Sequence, residues 1–546
     1  MVARALTPLD SNDVQPSPPD GWSGRLDHQS YHSRAALKDC PALAKRQWLD
    51  KVQSQTSVRA MSEIREIETS KRKVARQGAL LLSGFAVSQG LSFLRNAIIG
   101  HTLSKGDFGI ATTITLILQL VETLTDVGSD RLIVQAEDGD KPEFIATAHT
   151  VLVARGLIIF ATLFALAPFL ASFFAVPHAA LAFRFAALVP LIKGFMHLDC
   201  RRAQRRLDNR PQMQLEVLPQ LAGLAMIFPM LALTQNYAAA VWLALFQAVV
   251  SVLVSHVLAQ RPYRLAAEKD VLQRQISFGW PILASALPLI AVYQGDRIII
   301  ARLGGMESIA AYSAAFMVTM VPGLVAAKVG HALMLPMFSD FIRRGRSLKS
   351  RYTFLTEATT LAAALYLAIF LVAGERILPI VFGAHYHSLG AVLGWLALVW
   401  ALRMMQAVPG MALMAAGQTQ PFLIAGIIRA MALPFALWSA LGGANIATIA
   451  AIGAVAELLS LIYVGFRLER LEAGLGGILL SRALFIIPAA VAAILSKHVG
   501  AGNLVHDLIS AVAVCLAISG IGVAVMPSLC LHVRHLLEAK TAPAAT

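Results

Sequence analysis

Thr115, Gln119, Glu122 and Asp126 follow one another at steps of four, three and four residues inside an otherwise apolar run. On a helix that spacing places all four on one face. An ionised group at the centre of a bilayer costs at least ~2.5–3.5 kcal/mol, so such a stripe faces protein or water rather than lipid. Cations show the same habit. Arg95, Arg155, Arg184, Arg297, Lys328, Arg403 and Arg429 lie within apolar runs, with Lys193 and Arg482 nearer the ends of theirs. The acids in comparable positions are Glu122, Asp126, Asp296 and Glu457, with Glu216, Glu357 and Asp507 close to run ends. Cations outnumber acids, and guanidinium groups grip phosphate oxygens in a bidentate way. The balance of sign favours an anionic cargo over a cationic one.

Arg95, Arg155, Arg184, Arg297, Lys328, Arg403 and Arg429 are therefore the candidate substrate-binding cations of an internal cavity. Arg403 and Arg429 fall in mid-run, where their side chains cannot reach the interface, and are the strongest candidates in the second half. Glu122, Asp126 and Asp296 are candidates either for coupling to a proton or sodium ion or for structural ion pairs. The expected partners are Arg155 for Glu122 and Asp126, and Arg95 for Asp296. Catalysis has no comparable support. No nucleophile–base pair or phosphate-cradling glycine loop is visible. His197, His331, His385 and His387 lack metal-site spacing, as do Cys40, Cys200, Cys515 and Cys530. The expectation is a protein that is not an enzyme and uses no cofactor or metal.

The elements that position these residues are membrane spans. Mean hydropathy is +0.65, with 57% hydrophobic and only 14% charged residues, whereas a soluble domain carries about 25% charged. A span needs about 20 residues. On that measure about fourteen follow one another, near 78–99, 108–128, 148–172, 179–197, 213–234, 238–258, 277–302, 308–338, 353–373, 388–412, 420–440, 445–466, 477–496 and 505–527. Leu378–Gly383 reads as a short interfacial or re-entrant piece. The net charge of +14 sits largely in alternate loops, among them Arg201, Arg202, Arg205, Arg206 and Arg210, then Arg343, Arg344, Arg346, Lys349 and Arg351. The loops between carry little beyond Lys105 and Arg376. This alternation predicts a multi-pass membrane protein with both termini cytoplasmic, and it assigns the basic charge to orientation rather than to nucleic acid.

The predicted organisation is a polar cytoplasmic tail (1–76), a six-helix lobe (77–258), a basic linker (259–276) and a second six-helix lobe (277–466). An extra helix pair (477–527) and a cytoplasmic tail (528–546) follow. Met61 is an alternative start, because the basic stretch after it suits the flank of a first span. A short internal repeat supports two lobes of the same sense: Ile98-Ile99-Gly100-His101 through Phe108-Gly109-Ile110-Ala111 parallels Ile299-Ile300-Ala301-Arg302 through Ile309-Ala310-Ala311-Tyr312.

LSKGDFGIAT at 103–112, TDVGSDRLIVQ at 125–135, GDRIIIARLGGMESIAAYSAAF at 295–316 and FGAHY at 382–386 resemble the oligosaccharide flippase (polysaccharide transporter) family. That family belongs to the multidrug/oligosaccharidyl-lipid/polysaccharide exporter superfamily. The resemblance follows the order of spans from about 78 to 527; the polar N-terminal tail departs from the family's usual short start. It implies an all-α polytopic protein of two pseudo-symmetric six-helix lobes around a central cavity, plus two C-terminal helices. It further implies alternating access and a polyprenyl-pyrophosphate-linked oligosaccharide moved across the bacterial inner membrane to the outer leaflet for exopolysaccharide, capsule or O-antigen assembly. The partners are then that lipid-linked sugar, membrane lipid, a proton or sodium ion and a polysaccharide polymerase. The rival readings are a drug or small-molecule antiporter and a peptidoglycan lipid-precursor flippase of the same superfamily. A polyprenyl-dependent membrane enzyme would need a large outer loop, and no external loop here exceeds about 15 residues on the span count.

Overall fold

The computed structural model describes residues 76–499 and 504–532. The expected N-terminal tail up to residue 75, Met61 included, and the C-terminal tail beyond 532 lie outside the described residues, as does the His331 side chain. All regular elements among the described residues are helices. The first half comprises α1 (Arg76–Thr102), α2 (Lys105–Leu124), α3 (Ser129–Gln135), α4 (Pro142–Phe173), α5 (Ala180–Ala186), α6 (Leu188–Lys193), α7 (Asp199–Arg205), α8 (Arg210–Thr234) and α9 (Ala238–Val257). The second comprises α10 (Lys269–Ile299), α11 (Gly305–Arg343), α12 (Lys349–Phe382), α13 (Gly390–Met405), α14 (Ala407–Ala415), α15 (Gln420–Ala430), α16 (Ala432–Leu441) and α17 (Ile446–Glu469). Then come α18 (Leu475–Ala483), α19 (Ile486–Val499) and α20 (Leu504–Val525).

Among the described residues, eleven helices are long and apolar enough to cross a membrane. The fourteen expected spans map onto them once three features are recognised. The segment Lys269–Leu324 carries two passes, α10 and α11, joined by a π-turn at Ile300–Gly304 and by Gly305 at φ +80°. The fourth expected span is broken into α5 and α6, and the last is α20, with its shorter apolar core Ile509–Val525.

Broken spans have a common cause. Pro190, Pro409, Pro434 and Pro488 lie shortly after the breaks between α5 and α6, α13 and α14, α15 and α16, and α18 and α19. Proline lacks the N–H that the carbonyl four residues earlier needs, and its ring clashes with that carbonyl, so the helix yields there. Pro281, Pro288 and Pro322 remain inside continuous helices. Leu378–Phe382 is the last part of the continuous α12, which contains Pro379 and stops where Gly383 takes φ +99°. The re-entrant reading of that stretch is thus corrected. Helix starts carry their own signals: the Ser104 hydroxyl accepts from the Asp107 N–H at 3.1 Å before α2, and the Asn445 side chain accepts from Thr448 N–H at 2.9 Å before α17. Each satisfies a donor the helix leaves orphaned.

The two repeated hairpins dock on each other. α2 runs along α11 so closely that a side chain at Gly109 would land on the Met306 carbonyl. Beside this contact, Phe93 and Phe108 of the first half meet Phe382 and Tyr386 of the second, with ring centroids 5.9–6.3 Å apart. Lys105 sits over the Tyr386 ring. The lobes are therefore sealed at the end that carries the short turns.

The opposite end gathers the basic loops and their acids. Asp140 meets Arg206 at 2.9 Å, Arg261 at 3.6 Å and Arg202 at 3.9 Å; Arg201 meets Asp130 at 2.6 Å. The base of α10 is tied to the first half there, through Ser129 to Gln275 at 3.2 Å and Arg274 to Asp138 at 2.7 Å. The extra pair α19 and α20 buries Ala489, Ala493, Val514 and Ile518 against Ala364, Ala368 and Val372 of α12. Buried Glu357 of α12 adds a 2.9 Å ion pair with Arg482 of α18.

Candidate functional site

The polar stripe of α2 keeps the exposure that its spacing implies. Thr115 and Gln119 are exposed, and Glu122 and Asp126 half-buried, while Leu116 and Ile117 between them are buried. Its acids do not bind the expected partner. The Glu122 carboxylate takes Lys193 at 2.8 Å. Arg155 instead donates to the Glu122 backbone carbonyl at 2.5 Å and to the Thr125 hydroxyl at 3.0 Å. Asp126 accepts from the Gly128 N–H at 2.9 Å and lies 3.5 Å from Arg131. Lys193 is reached because α6 ends beside α4, where the Gly156–Gly194 approach leaves no room for larger residues. These groups line a cavity of about 350 Å³ within the first lobe, shared with Arg201 and Glu216.

Arg95 of α1 has different company. Its guanidinium donates to Gln220 Oε1 at 3.1 Å, to Gln247 Oε1, and to the Ser92 hydroxyl at 3.3 Å. It has no acidic partner among the described residues, and the expected cross-lobe pair with Asp296 is not formed. Asp296 accepts the Tyr312 hydroxyl and, at 2.8 Å, the N–H of Arg297. Arg297, only 6% exposed, donates to Gln294 Oε1 at 3.0 Å and to the Ser313 hydroxyl at 3.3 Å. It lies over the Phe316 ring, and its Nε–H has no partner among the described residues.

Arg403 and Arg429 converge on one acid. Glu457 of α17, 2% exposed, accepts from Arg403 Nε at 2.5 Å and from Arg429 Nε at 2.8 Å. Gln406, at the break between α13 and α14, donates to Glu457 and accepts from Arg429. One carboxylate between two guanidiniums leaves the cluster with a single net positive charge. Arg403 also stacks on Trp400 and Tyr293, its carbon 4.9 and 4.7 Å from the ring centres. Sequence reasoning named Glu457 among the span acids but did not see it as the hub. The available signal was one mid-span acid in the same half as two mid-span arginines.

The remaining two cations stand apart. Arg184 is exposed beside Leu181 and stacks on Phe164 at 5.4 Å. Lys328 of α11 lies 3.4 Å from the centre of the Phe85 ring of α1, a cation–π contact across the lobes. The lobes also touch through side-chain amides, Gln294 donating to Gln119 at 3.3 Å.

Comparison with known proteins agrees with this architecture. The chain matches the model of a family described as polysaccharide biosynthesis protein over residues 98–391. It is 25% identical over 320 residues to the succinoglycan biosynthesis transport protein ExoT of Rhizobium meliloti (strain 1021). That match covers 57% of this chain and 62% of the relative, less than two thirds of its length. Among solved structures it resembles the lipid II flippase MurJ in an inward closed conformation, with a TM-score of 0.66 at 11% identity, covering 81% of this chain and 98% of that one. It also resembles an inward-facing multidrug resistance MATE family transporter of the MOP superfamily, with a TM-score of 0.58 at 16% identity, covering 71% and 96%. The two solved structures speak for the fold, and the sequence match reaches further: this multi-pass membrane chain belongs to the polysaccharide biosynthesis protein family, in the fold of the MOP superfamily.

Proposed function

We propose that this protein carries a polyprenyl-pyrophosphate-linked oligosaccharide across the bacterial inner membrane by alternating access, for exopolysaccharide, capsule or O-antigen assembly. The observation that carries the reading is Arg95, held by neutral amide and hydroxyl oxygens with no acidic partner among the described residues; the Arg297 guanidinium is likewise held by an amide and a hydroxyl, with the Asp296 carboxylate beside it on the chain. Removing a cation from water costs several kcal/mol unless a counter-charge is supplied, and a pyrophosphate supplies it. Arg403 and Arg429 add one further positive charge. The lipid tail stays in the bilayer and the glycan occupies the space between the lobes. The transport role in the name of the Rhizobium relative supports a sugar cargo. Both termini face the cytoplasm in this reading, because the basic loops gather at one end. Glu122 and Asp126 serve as structural ion pairs, and Asp296, bonded to a neutral hydroxyl, is the candidate for proton or sodium coupling. A downstream polymerase consumes the product.

The test is complementation of a deletion strain with wild type or with Arg95→Gln plus Arg297→Gln. The expected result is inner-leaflet accumulation of lipid-linked oligosaccharide and loss of surface polysaccharide, reversed by wild type and not by the double variant. Normal surface polysaccharide in the deletion, with altered drug sensitivity, would favour the antiporter reading instead.

A further inference from the structure

Tyr293 is 39% exposed at a place on α10 where its neighbours turn inward or across. Gln294 reaches Gln119 of the opposite lobe, Gly295 is buried against Leu433, and Asp296 and Arg297 bond to α11. One side of the Tyr293 ring rests on Arg403, which Glu457 fixes in turn. The other parts of the ring stay open, and the hydroxyl makes no hydrogen bond among the described residues. Exposed Gln119 brings an amide N–H that donates to no group among the described residues.

A fixed, partly exposed aromatic ring with an unbonded hydroxyl, one residue along the helix from a Gln294–Gln119 pair, matches one kind of ligand chemistry. A pyranose has an apolar face of C–H bonds and a rim of hydroxyls. Its face gains by leaving water for an aromatic ring, and its rim needs donors and acceptors at the edge of that ring. Pre-fixing the ring through Arg403 lowers the ordering cost of binding. We propose that Tyr293 is a stacking platform for one sugar ring of the cargo, with Gln119 and the Tyr293 hydroxyl at its rim. This subsite rests on the flippase reading and adds a glycan contact, separate from the charges that hold pyrophosphate.

The test measures binding of two lipids to the purified full-length protein: polyprenyl pyrophosphate bearing a glucose-containing tetrasaccharide, and bare polyprenyl pyrophosphate. Tyr293→Leu is expected to weaken the glycan-bearing lipid roughly three- to tenfold and leave the bare lipid unchanged, while Tyr293→Trp, which keeps an aromatic face but not the hydroxyl, binds the glycan-bearing lipid more tightly than Tyr293→Leu and the bare lipid as wild type does. Equal weakening of both lipids in Tyr293→Leu, no change in either, or a Tyr293→Trp variant as weak as Tyr293→Leu overturns the subsite. Wild type binding the glycan-bearing lipid no tighter than the bare one also overturns it, while leaving the pyrophosphate site standing. Wild type binding neither lipid removes the flippase reading itself, and the subsite with it.

Discussion

Arg95 and the Arg403–Arg429 pair are the same residue type in opposite settings. Arg95 is cradled by two glutamines and a serine, all neutral. Arg403 and Arg429 share the carboxylate of Glu457. The first lobe thus keeps its guanidinium charge whole, and the second spends half of its charge internally. A cation in a cradle of amides is ready for an anion. A cation locked to a buried acid is first of all part of the scaffold. Counting intramembrane arginines therefore overstates the charge available to a ligand, and the neighbours decide which arginines are available.

The comparison breaks most visibly at Glu457. Glu457→Gln leaves two guanidiniums without their counter-charge, and breaking a buried pair in this way costs about 3–5 kcal/mol. A large drop in melting temperature and yield in detergent is expected. A wild-type melting curve would show that Glu457 is not the hub described. Arg95→Gln sharpens the contrast from the other side. Its partners are amides that bond equally well to glutamine, so stability should move by no more than about 1 kcal/mol. Affinity for a pyrophosphate lipid should fall roughly ten- to a hundredfold, the worth of a charge-assisted contact. Unfolding without a change in affinity would make Arg95 structural as well.

A smaller effect is expected where α10 is tied to the first lobe. The hydrogen bond and charge of Arg274 hold the Asp138 carboxyl below the usual carboxylate range. A carboxyl whose folded value is depressed contributes stability above its unfolded value and loses it as the pH falls through the folded one. The tie is therefore intact at neutral pH and loosens only in acid, below the ordinary carboxylate range. Opening at the base of α10, read as hydrogen exchange relative to the intrinsic rate at each pH, should rise on acidification in wild type and be raised already at neutral pH in Asp138→Asn. The least effect belongs to Arg184→Ala, which removes only an exposed stack on Phe164. Transport should stay within about twofold of wild type, since surface changes of this kind stay near ±0.5 kcal/mol.

Much of the fold was legible because each span must satisfy a length and an apolar composition, and because basic loops alternate with neutral ones. The breaks at Pro190, Pro409, Pro434 and Pro488 were legible in principle, since a proline interior to a helix acts on a known earlier carbonyl. The α2 stripe was legible from spacing alone. Pairings were not, because periodicity reports which face a residue occupies and not which helix lies opposite. Glu122 binds Lys193 rather than Arg155 because of how closely α6 approaches α4, a fact written in Gly156 and Gly194 and not in any charge. Glu457 and Tyr293 were hidden for a related reason: each acquires its role from Arg403, more than 50 residues from one and more than 100 from the other.

The contact between Gly109 and the Met306 carbonyl also bears on which substitutions the chain can tolerate. Conservative exchange offers no relief there, because even the smallest added carbon meets backbone rather than a side chain that can step aside. A saturation map of this chain should have one of its deepest troughs at a residue with no charge, no hydrogen-bonding side chain and no contact with cargo. Sequence drift at the arginines can be compensated by a neighbouring amide or acid, whereas drift at position 109 has nothing nearby to compensate it.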